Sequence, residues 1–363
     1  MNAPDFGRFF LPGPTEVHPE ILRAMDRPMI PHRGQQMVDL LRGITPPLQR
    51  VFRTVRQVLI GTCAATGFME MAVRCGVRNR VLSLVGGAFG ERFAAIAVAT
   101  GREVVRLNVP PGQTVEPDML RDALRRSDVD AVTLVHSETS TGALAPLEAL
   151  SAVVREFDDV VTLVDAVTSV AGSPVETDAW DLDFVFTGSQ KALALPPGLA
   201  LGVASERMIA RAKAIPDRGM YFDLVAFEKA AAEAQPTNTP AISLLFALDA
   251  QLGRIEAAGG IEARWQRHDA MRRRVDQWVD GPGGARGFSY LPPPDRRSWT
   301  VSCLRVPEGV GGRDLVAAMR AAGWTIGSGY GDLKQSTIRI GHMGDHTPER
   351  LGQLLDDLAA ERG

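Results

Sequence analysis

The chain has 363 residues, 45% apolar and 23% charged, the balance of a soluble globular protein with room for one large domain and a smaller companion. A net charge of −3, with arginines spread along the chain, gives no electrostatic reason to expect nucleic acid or a membrane surface as partner. Cys63, Cys75 and Cys303 are odd in number and unrelated in spacing, which argues against a disulfide framework or zinc site. With no signal-peptide pattern and no apolar run of the roughly 18 residues that span a bilayer, they predict a cytoplasmic protein.

In chain order, FFLPGPTEVHPEILRAM is Pro-rich and reads as an extended arm leading to a first helix. IGTCAATGFMEMAVRCG sets small residues ahead of a helical run. Short β-branched runs at 80–85, 103–109, 130–136, 159–165, 182–187 and 199–205 read as strands. Between them AFGERFAAIAVATG, EPDMLRDALRRS and PLEALSAVVREF are apolar at helical spacing. This βα series predicts an α/β fold with a mainly parallel sheet, and the continuous apolar strands imply helices on both faces. PAISLLFALDAQLGRIEAAGG and IEARWQRHDAMRRRVDQWVDG follow as two long helices. Beyond the Pro/Gly-rich GPGGARG and LPPPDRRS, the order strand, helix, strand, helix (TVSCLRV, RDLVAAMRAAG, STIRIGHM, PERLGQLLDDLAAE) predicts a smaller α+β domain. The expected boundaries are an arm over 1–18, a large domain over 19–257 and a small domain over 258–363.

Lysine use singles out one position. Of 40 basic residues only Lys191, Lys213, Lys229 and Lys334 are lysines, and none precedes Lys191. Lys191 follows the strand-like LDFVF and the turn TGSQ, and Asp165 ends the apolar run VVTLVD, so both should sit at carboxyl ends of strands, where open α/β sheets bind ligands. A Schiff-base lysine needs a rigid perch and a depressed pKa, and an aspartate on another strand end can keep a pyridinium nitrogen protonated; that pairing is the chemical core of pyridoxal-phosphate (PLP) enzymes.

Other features carry weaker signals. Ala64, Ala65, Thr66 and Gly67 before a helix make an anion seat, or merely an N-cap. Phe89, after a strand and a Gly pair, is placed to stack on a flat ring or to fill the core. VHSETSTGALAP ends a strand with hydroxyls, Thr139 among them, in a polar turn that could touch a ligand. Arg339 stands inside an otherwise apolar strand, a costly placement that asks for an anion. His342 and His346 have i, i+4 spacing but flank a glycine turn and lack an acidic third ligand, so no metal site is expected. GSGYG (327–331) reads as a loop bordering the site, not as a dinucleotide fingerprint.

Together these segments resemble the class V aminotransferases of fold type I, the group of alanine–glyoxylate and serine–glyoxylate (serine–pyruvate) transaminases. LPGPTEV is similar to the N-terminal PGP segment and SETSTG to the ESSTG turn. VDAVTS is similar to the VDxxxS strand end, TGSQKAL with PPG to the lysine loop, NTPAISL to TPxxSL, and STIRIGHMG to the RIGxxG strand. The resemblance covers nearly the whole chain, and TGSQK with PPG and VDAVTS is its specific part. It implies a seven-stranded large domain, PLP as cofactor and a homodimer with shared active sites. Lys191 and Asp165 are the implied catalytic residues, with Ala64, Ala65, Thr66, Phe89, Thr139, Ser169, Gln190, Asn238 and Thr239 around the cofactor. It implies substrate contacts from Gly13 and Arg339, with His32, Arg33 and His342 offered for a second anion. QPTNTP departs from relatives that place a tyrosine ahead of the Thr239 position, so that either Asn238 or Thr237 replaces that phosphate contact or the phosphate has one contact fewer. The implied reaction is ping-pong transamination between small amino acids (alanine, serine) and small 2-oxo acids (glyoxylate, pyruvate). Phosphoserine transamination is the alternative, because the His32–Arg33 pair suits a substrate phosphate. A desulfurase-type lyase is disfavoured, since the stacking position holds Phe89 and Cys303 falls within a strand.

Overall fold

Val161–Asp165 and Phe184–Gly188 are buried at every position, because the sheet they share is covered on both faces. The computed structural model describes residues 6–361. The first five residues of the expected arm, and 362–363 at the end of the expected small domain, lie outside the described residues.

The large sheet has seven strands in the spatial order Val58–Gly61, Ala200–Ala204, Phe184–Gly188, Val161–Asp165, Ala131–Val135, Arg80–Val85 and Glu103–Asn108. Ala200–Ala204 runs antiparallel to both its neighbours, and the remaining pairs are parallel. Alternate side chains feed two cores. Leu82, Val132, Val164 and Val185 pack under the helices Gln35–Phe52, Pro117–Arg126, Leu147–Val154 and Ile242–Ala257. Val81, Ala131, Leu163, Phe184 and Phe186 pack under Ala65–Gly76, Ala88–Ala99, Glu206–Ala214 and Leu224–Ala232. Each fully buried phenylalanine contributes about 1.5–3 kcal/mol.

The reversed strand has a positional consequence. Val58–Gly61 and Phe184–Gly188 both oppose Ala200–Ala204, so their carboxyl ends emerge with that of Val161–Asp165 at one edge of the sheet. The loops carrying Ala64–Thr66, Lys191 and Asp165 therefore converge.

A second sheet orders Phe9–Phe10, Thr325–Ser328, Thr337–Gly341, Val301–Arg305 and Ser289–Tyr290, antiparallel except for the parallel pair at Phe9–Phe10. The helices Gly260–Asp280, Gly312–Ala321 and Pro348–Ala360 share its core. Part of the expected arm is thus a strand of this sheet, and a route from Phe10 through Pro12 and Gly13 leads past Lys191. The helix Gln35–Phe52 runs through Pro46 and Pro47, residues that argue against a helix in the sequence. No helix among the described residues is long and apolar enough to cross a membrane.

Candidate active site

The turn after Phe184–Gly188 gives Lys191 its perch. Ser189 Oγ donates to Pro196 O at 2.7 Å, Ser189 N to Leu199 O at 2.9 Å and Ala194 N to Lys191 O at 2.8 Å, so the turn closes on itself. Lys191 is 7% exposed, and its Nζ donates to Pro12 O. Gly13, at φ +114°, lies against the lysine, and a Cβ built there would fall 2.6 Å from Lys191 Cε. No other residue type fits between them.

Asp165 is 3% exposed, and its Oδ1 accepts from Val167 N at 2.9 Å. Burial pushes its carboxyl up to about 7 against that hydrogen bond. Burial pulls the Lys191 amine down to about 8; Asp165 opposes the shift and Arg339 adds to it. A buried carboxyl poised near neutrality accommodates a cationic N–H partner, and an amine near neutrality is a usable nucleophile and base.

The start of a helix lies beside them. Helix Ala65–Gly76 follows Ala64 with no side-chain cap; Gly67 N donates to Ala64 O at 2.8 Å, and the Ala65 and Thr66 amides are left bare among the described residues. The Gln190 carboxamide is wedged there: a Cβ on Gly188 would sit 2.5 Å from Gln190 Oε1 and 3.1 Å from Ala65 Cβ. Gln190 Oε1 is buried without a partner among the described residues. Ala64 and Thr66 are exposed at the same end. Asn238 and Thr239 are exposed too, on a segment whose end is held by Ala241 N donating to Thr62 Oγ1 at 3.0 Å.

Two aromatic rings and two guanidinium groups border the cleft. Phe89 lies 6.1 Å from Tyr330; Arg92 sits 4.8 Å over the Phe89 ring and Arg339 5.5 Å over Tyr330. Arg339 donates from Nε to Ser328 O at 2.9 Å and from Nη1 to Thr139 O at 3.2 Å, and has no ion-pair partner among the described residues. Of the expected loop 327–331, Gly327 and Ser328 instead end the strand Thr325–Ser328, and Ser328 and Tyr330 border this guanidinium. Thr139 Oγ1 lies 2.6 Å from Thr168 Oγ1, and Ser169 Oγ lies 3.0 Å from His136 Nδ1.

The sequence reading passed over Glu138. It is 5% exposed; Oε2 accepts from Phe89 N at 3.1 Å and Gly90 N at 3.2 Å, and Oε1 accepts from Ser140 N at 3.0 Å. It therefore fixes the turn that carries Phe89. The available signal was an acidic residue amid small hydroxyl residues directly after an apolar strand.

His342, His32 and Arg33 are the residues expected at a second anion. His342 is fully buried, its Nε2 is 2.9 Å from Ser302 Oγ, and burial pulls its imidazole down to about 3. A neutral, enclosed ring does not serve as the second-anion ligand, which corrects that expectation. His32 and Arg33 lie on the turn ahead of helix Gln35–Phe52 and hydrogen-bond to no other described residue.

Comparisons with known proteins answer the question of family. The model of class V aminotransferases matches residues 91–332. An aminotransferase of Methanocaldococcus jannaschii is 36% identical over 92% of this chain and 87% of its own length. The chain belongs to the class V aminotransferases. Its fold matches the alanine–glyoxylate aminotransferase of Nostoc sp. with a TM-score of 0.90 at 30% identity, covering 97% of this chain and 94% of that one. The L-aspartate–glyoxylate aminotransferase of Paracoccus denitrificans is 29% identical over 93% of this chain and 86% of its own length. Matching solved phosphoserine aminotransferases, at 22% identity or below, share the fold alone. This class V aminotransferase is a PLP-dependent transaminase. Its residues fit that cofactor: a buried lysine and aspartate, bare helix amides and an unpartnered buried carboxamide are the parts such a group would satisfy.

Proposed function

We propose that this aminotransferase moves an amino group between a small L-amino acid, alanine or serine, and a small 2-oxo acid, glyoxylate or pyruvate. The observation that carries the reading is the Lys191–Asp165 pair, buried at adjoining strand ends, with Arg339 making no ion pair among the described residues. When bound, PLP supplies an electron sink for charge developing at the substrate α-carbon.

The protein's own groups do the rest. Asp165 would hold a proton on the ring nitrogen, the cationic partner restoring its ionised form. Lys191 would anchor the cofactor and, once released by the incoming amine, move the proton from the α-carbon. Ala64, Ala65, Thr66 and Gln190 would hold the phosphate, with Asn238 and Thr239 of a second copy added in a homodimer. Phe89 would cover one ring face, and Thr139 and Ser169 would hold its other edge. Gly13 would leave space beside Lys191, and the Arg339 fork would take the substrate α-carboxylate in two parallel bonds. His32 and Arg33, on the turn ahead of helix Gln35–Phe52, would serve a second anion at the active site of a second copy. The proposed organisation is an arm to 18, a large domain over 19–257 and a small domain over 258–363, in a cytoplasmic enzyme. The glyoxylate named for the Nostoc and Paracoccus relatives supports a small oxo acid as acceptor.

A second reading, a donor with a second anionic group such as aspartate or phosphoserine, is favoured by Arg92, an exposed cation on Phe89 with no acidic partner among the described residues.

The decisive test replaces Lys191 with alanine. The purified wild-type protein should show the visible band of lysine-bound PLP and lose it on adding L-alanine or L-serine. Lys191→Ala should stay folded and lack the band; a variant that keeps it would refute the assignment.

A further inference from the structure

The segments carrying Lys191 and Arg339 meet a second time, away from the cleft. Arg264, on helix Gly260–Asp280, is 5% exposed. Its Nε donates to the carbonyl of Ala192, next to Lys191, at 3.0 Å, and its Nη2 reaches the same oxygen at 2.5 Å. Its Nη1 donates to Asp345 Oδ1 at 2.9 Å, in the loop that leaves the Arg339 strand. One guanidinium thus holds the lysine turn with one edge and the arginine strand's loop with the other.

The clasp is reinforced from every side. Gln251, fully buried, donates from Nε2 to both Asp345 oxygens at 3.3 and 3.2 Å. Arg267, one turn on from Arg264, donates to Gly344 O at 2.7 Å. Gly344, at φ +83°, packs on the lysine turn, where an added Cβ would fall 2.9 Å from Ala194 Cβ. Thr15 closes the circle, its N donating to Gln190 O at 2.9 Å and its Oγ1 to Met343 O at 3.3 Å. Burial would raise the Asp345 carboxyl, but Arg264, Gln251 and Arg267 hold it at about 2, so it stays charged across the working range.

A buried ion pair is a poor way to gain stability, because desolvation offsets much of its attraction. Its distinguishing property is geometric: a planar fork fixes two partners at set distances and angles. We propose that Arg264 and Asp345 are positioning residues that set the register between Lys191 and Arg339, so that the proton-moving amine and the carboxylate clamp meet the same substrate. The inference rests on the roles given above to Lys191 and Arg339.

The test uses the PLP-loaded enzyme and three variants. Arg264→Lys keeps the charge opposite Asp345 but loses the paired hydrogen bonds to the Ala192 carbonyl; Asp345→Asn keeps the shape and loses the charge. Arg273→Lys, on the same helix with an exposed guanidinium paired to the half-buried Asp269, is the control. Asp165, Glu138, Arg339 and Arg92 are the charged groups facing Lys191, so displacing the turn should change its titration. In Arg264→Lys the pH midpoint of the visible band should move by ~0.5 unit or more, and kcat/KM for the amino donor should fall about 10- to 100-fold, as expected of an ångström-scale misplacement. KM should rise with the loss in kcat, because the carboxylate clamp moves too. Asp345→Asn should shift the band in the same direction, and it carries the test if Arg264→Lys fails to fold.

If both variants keep the control's band midpoint and its KM while their melting temperatures fall, the pair is merely structural and the proposal is overturned. Borohydride reduction of the wild-type enzyme separates the two levels. Failure to fix PLP on Lys191 would overturn the Lys191 assignment itself; fixation with unmoved variants would overturn the clasp alone.

Discussion

The backbone carbonyl of Thr139 accepts a hydrogen bond from Nη1 of Arg339 at 3.2 Å, so the hairpin turn between Ser137–Glu138 and Ala143–Leu144 and a strand of the second sheet are tied across the cleft. Together with Ser328 O on Nε, this bond aims the guanidinium and leaves the remaining N–H groups for an anion. Arg339→Lys loses the fork, and Arg339→Leu loses the charge as well.

Both variants should cut kcat/KM for alanine, by about 30-fold or more for lysine and about 1,000-fold for leucine, the size expected when a bidentate charge-assisted contact is lost. Ethylamine, which lacks the carboxylate, supplies the contrast in the first half-reaction. Its slow conversion of the visible band should change less than about threefold with either substitution, through the altered field at Lys191 alone; an equal loss with ethylamine would mean that Arg339 does not read the carboxylate.

Asp165 makes stability depend on pH when the cofactor has been removed. Burial lifts its carboxyl from 3.8 to about 7, so between those values the folded protein holds a proton that the unfolded chain has released. Stability therefore falls as pH rises through that window, by ~2–4 kcal/mol from this group, and the full contribution is present only below about 4. Asp165→Asn should flatten that dependence. Urea unfolding of cofactor-free protein at pH 5 and pH 7.5 measures it, and an equal pH dependence in wild type and variant would show that Asp165 does not titrate as described.

Much of this architecture was legible because the strands buried on both faces read as unbroken apolar runs. Val161–Asp165 and Phe184–Gly188 could be placed, and with them the ends from which Asp165 and Lys191 project. Val58–Gly61 was missed: four residues on the sheet's edge between polar flanks carry too little pattern, and nothing local announces that Ala200–Ala204 runs backwards. Helix Gln35–Phe52 was hidden by Pro46 and Pro47, whose local penalty is overridden by burial of Ile44, Leu48 and Val51. Glu138 and the Arg264–Asp345 clasp depend on partners far away in sequence, and no period or motif encodes a hydrogen bond from residue 264 to residue 192. His342 looked available because spacing carries no information about enclosure.

Glu138 gives the next prediction. Its oxygens accept from the amides of Phe89, Gly90 and Ser140, and a Cβ on Gly87 would meet Glu138 Cγ at 2.5 Å, leaving no slack in the turn. In Glu138→Gln an amide NH2 group must face backbone donors, costing about 1–3 kcal/mol for the unmatched buried groups. The melting temperature should fall, and PLP should dissociate faster because Phe89 is no longer held in place. The release rate in the presence of a PLP trap measures this. A lower melting temperature with unchanged release would confine Glu138 to folding.

Arg92 decides between the two substrate readings. The guanidinium lies 4.8 Å over Phe89, and its charge lowers both the Asp165 carboxyl and the Lys191 amine, so it acts on the cleft even though it is exposed. If the second anion of a donor sits there, Arg92→Leu should reduce kcat/KM for aspartate or phosphoserine about 10- to 100-fold, as for loss of one solvent-accessible charged contact. Alanine and serine should change less than about threefold, through the altered field at Lys191 alone. Half-reaction rates for the four donors measure the ratio directly. Equal effects on all four would remove Arg92 from substrate recognition and favour the small neutral amino acids, with Arg339 as the sole anion clamp; a selective loss with aspartate or phosphoserine would assign the enzyme a donor carrying two anionic groups.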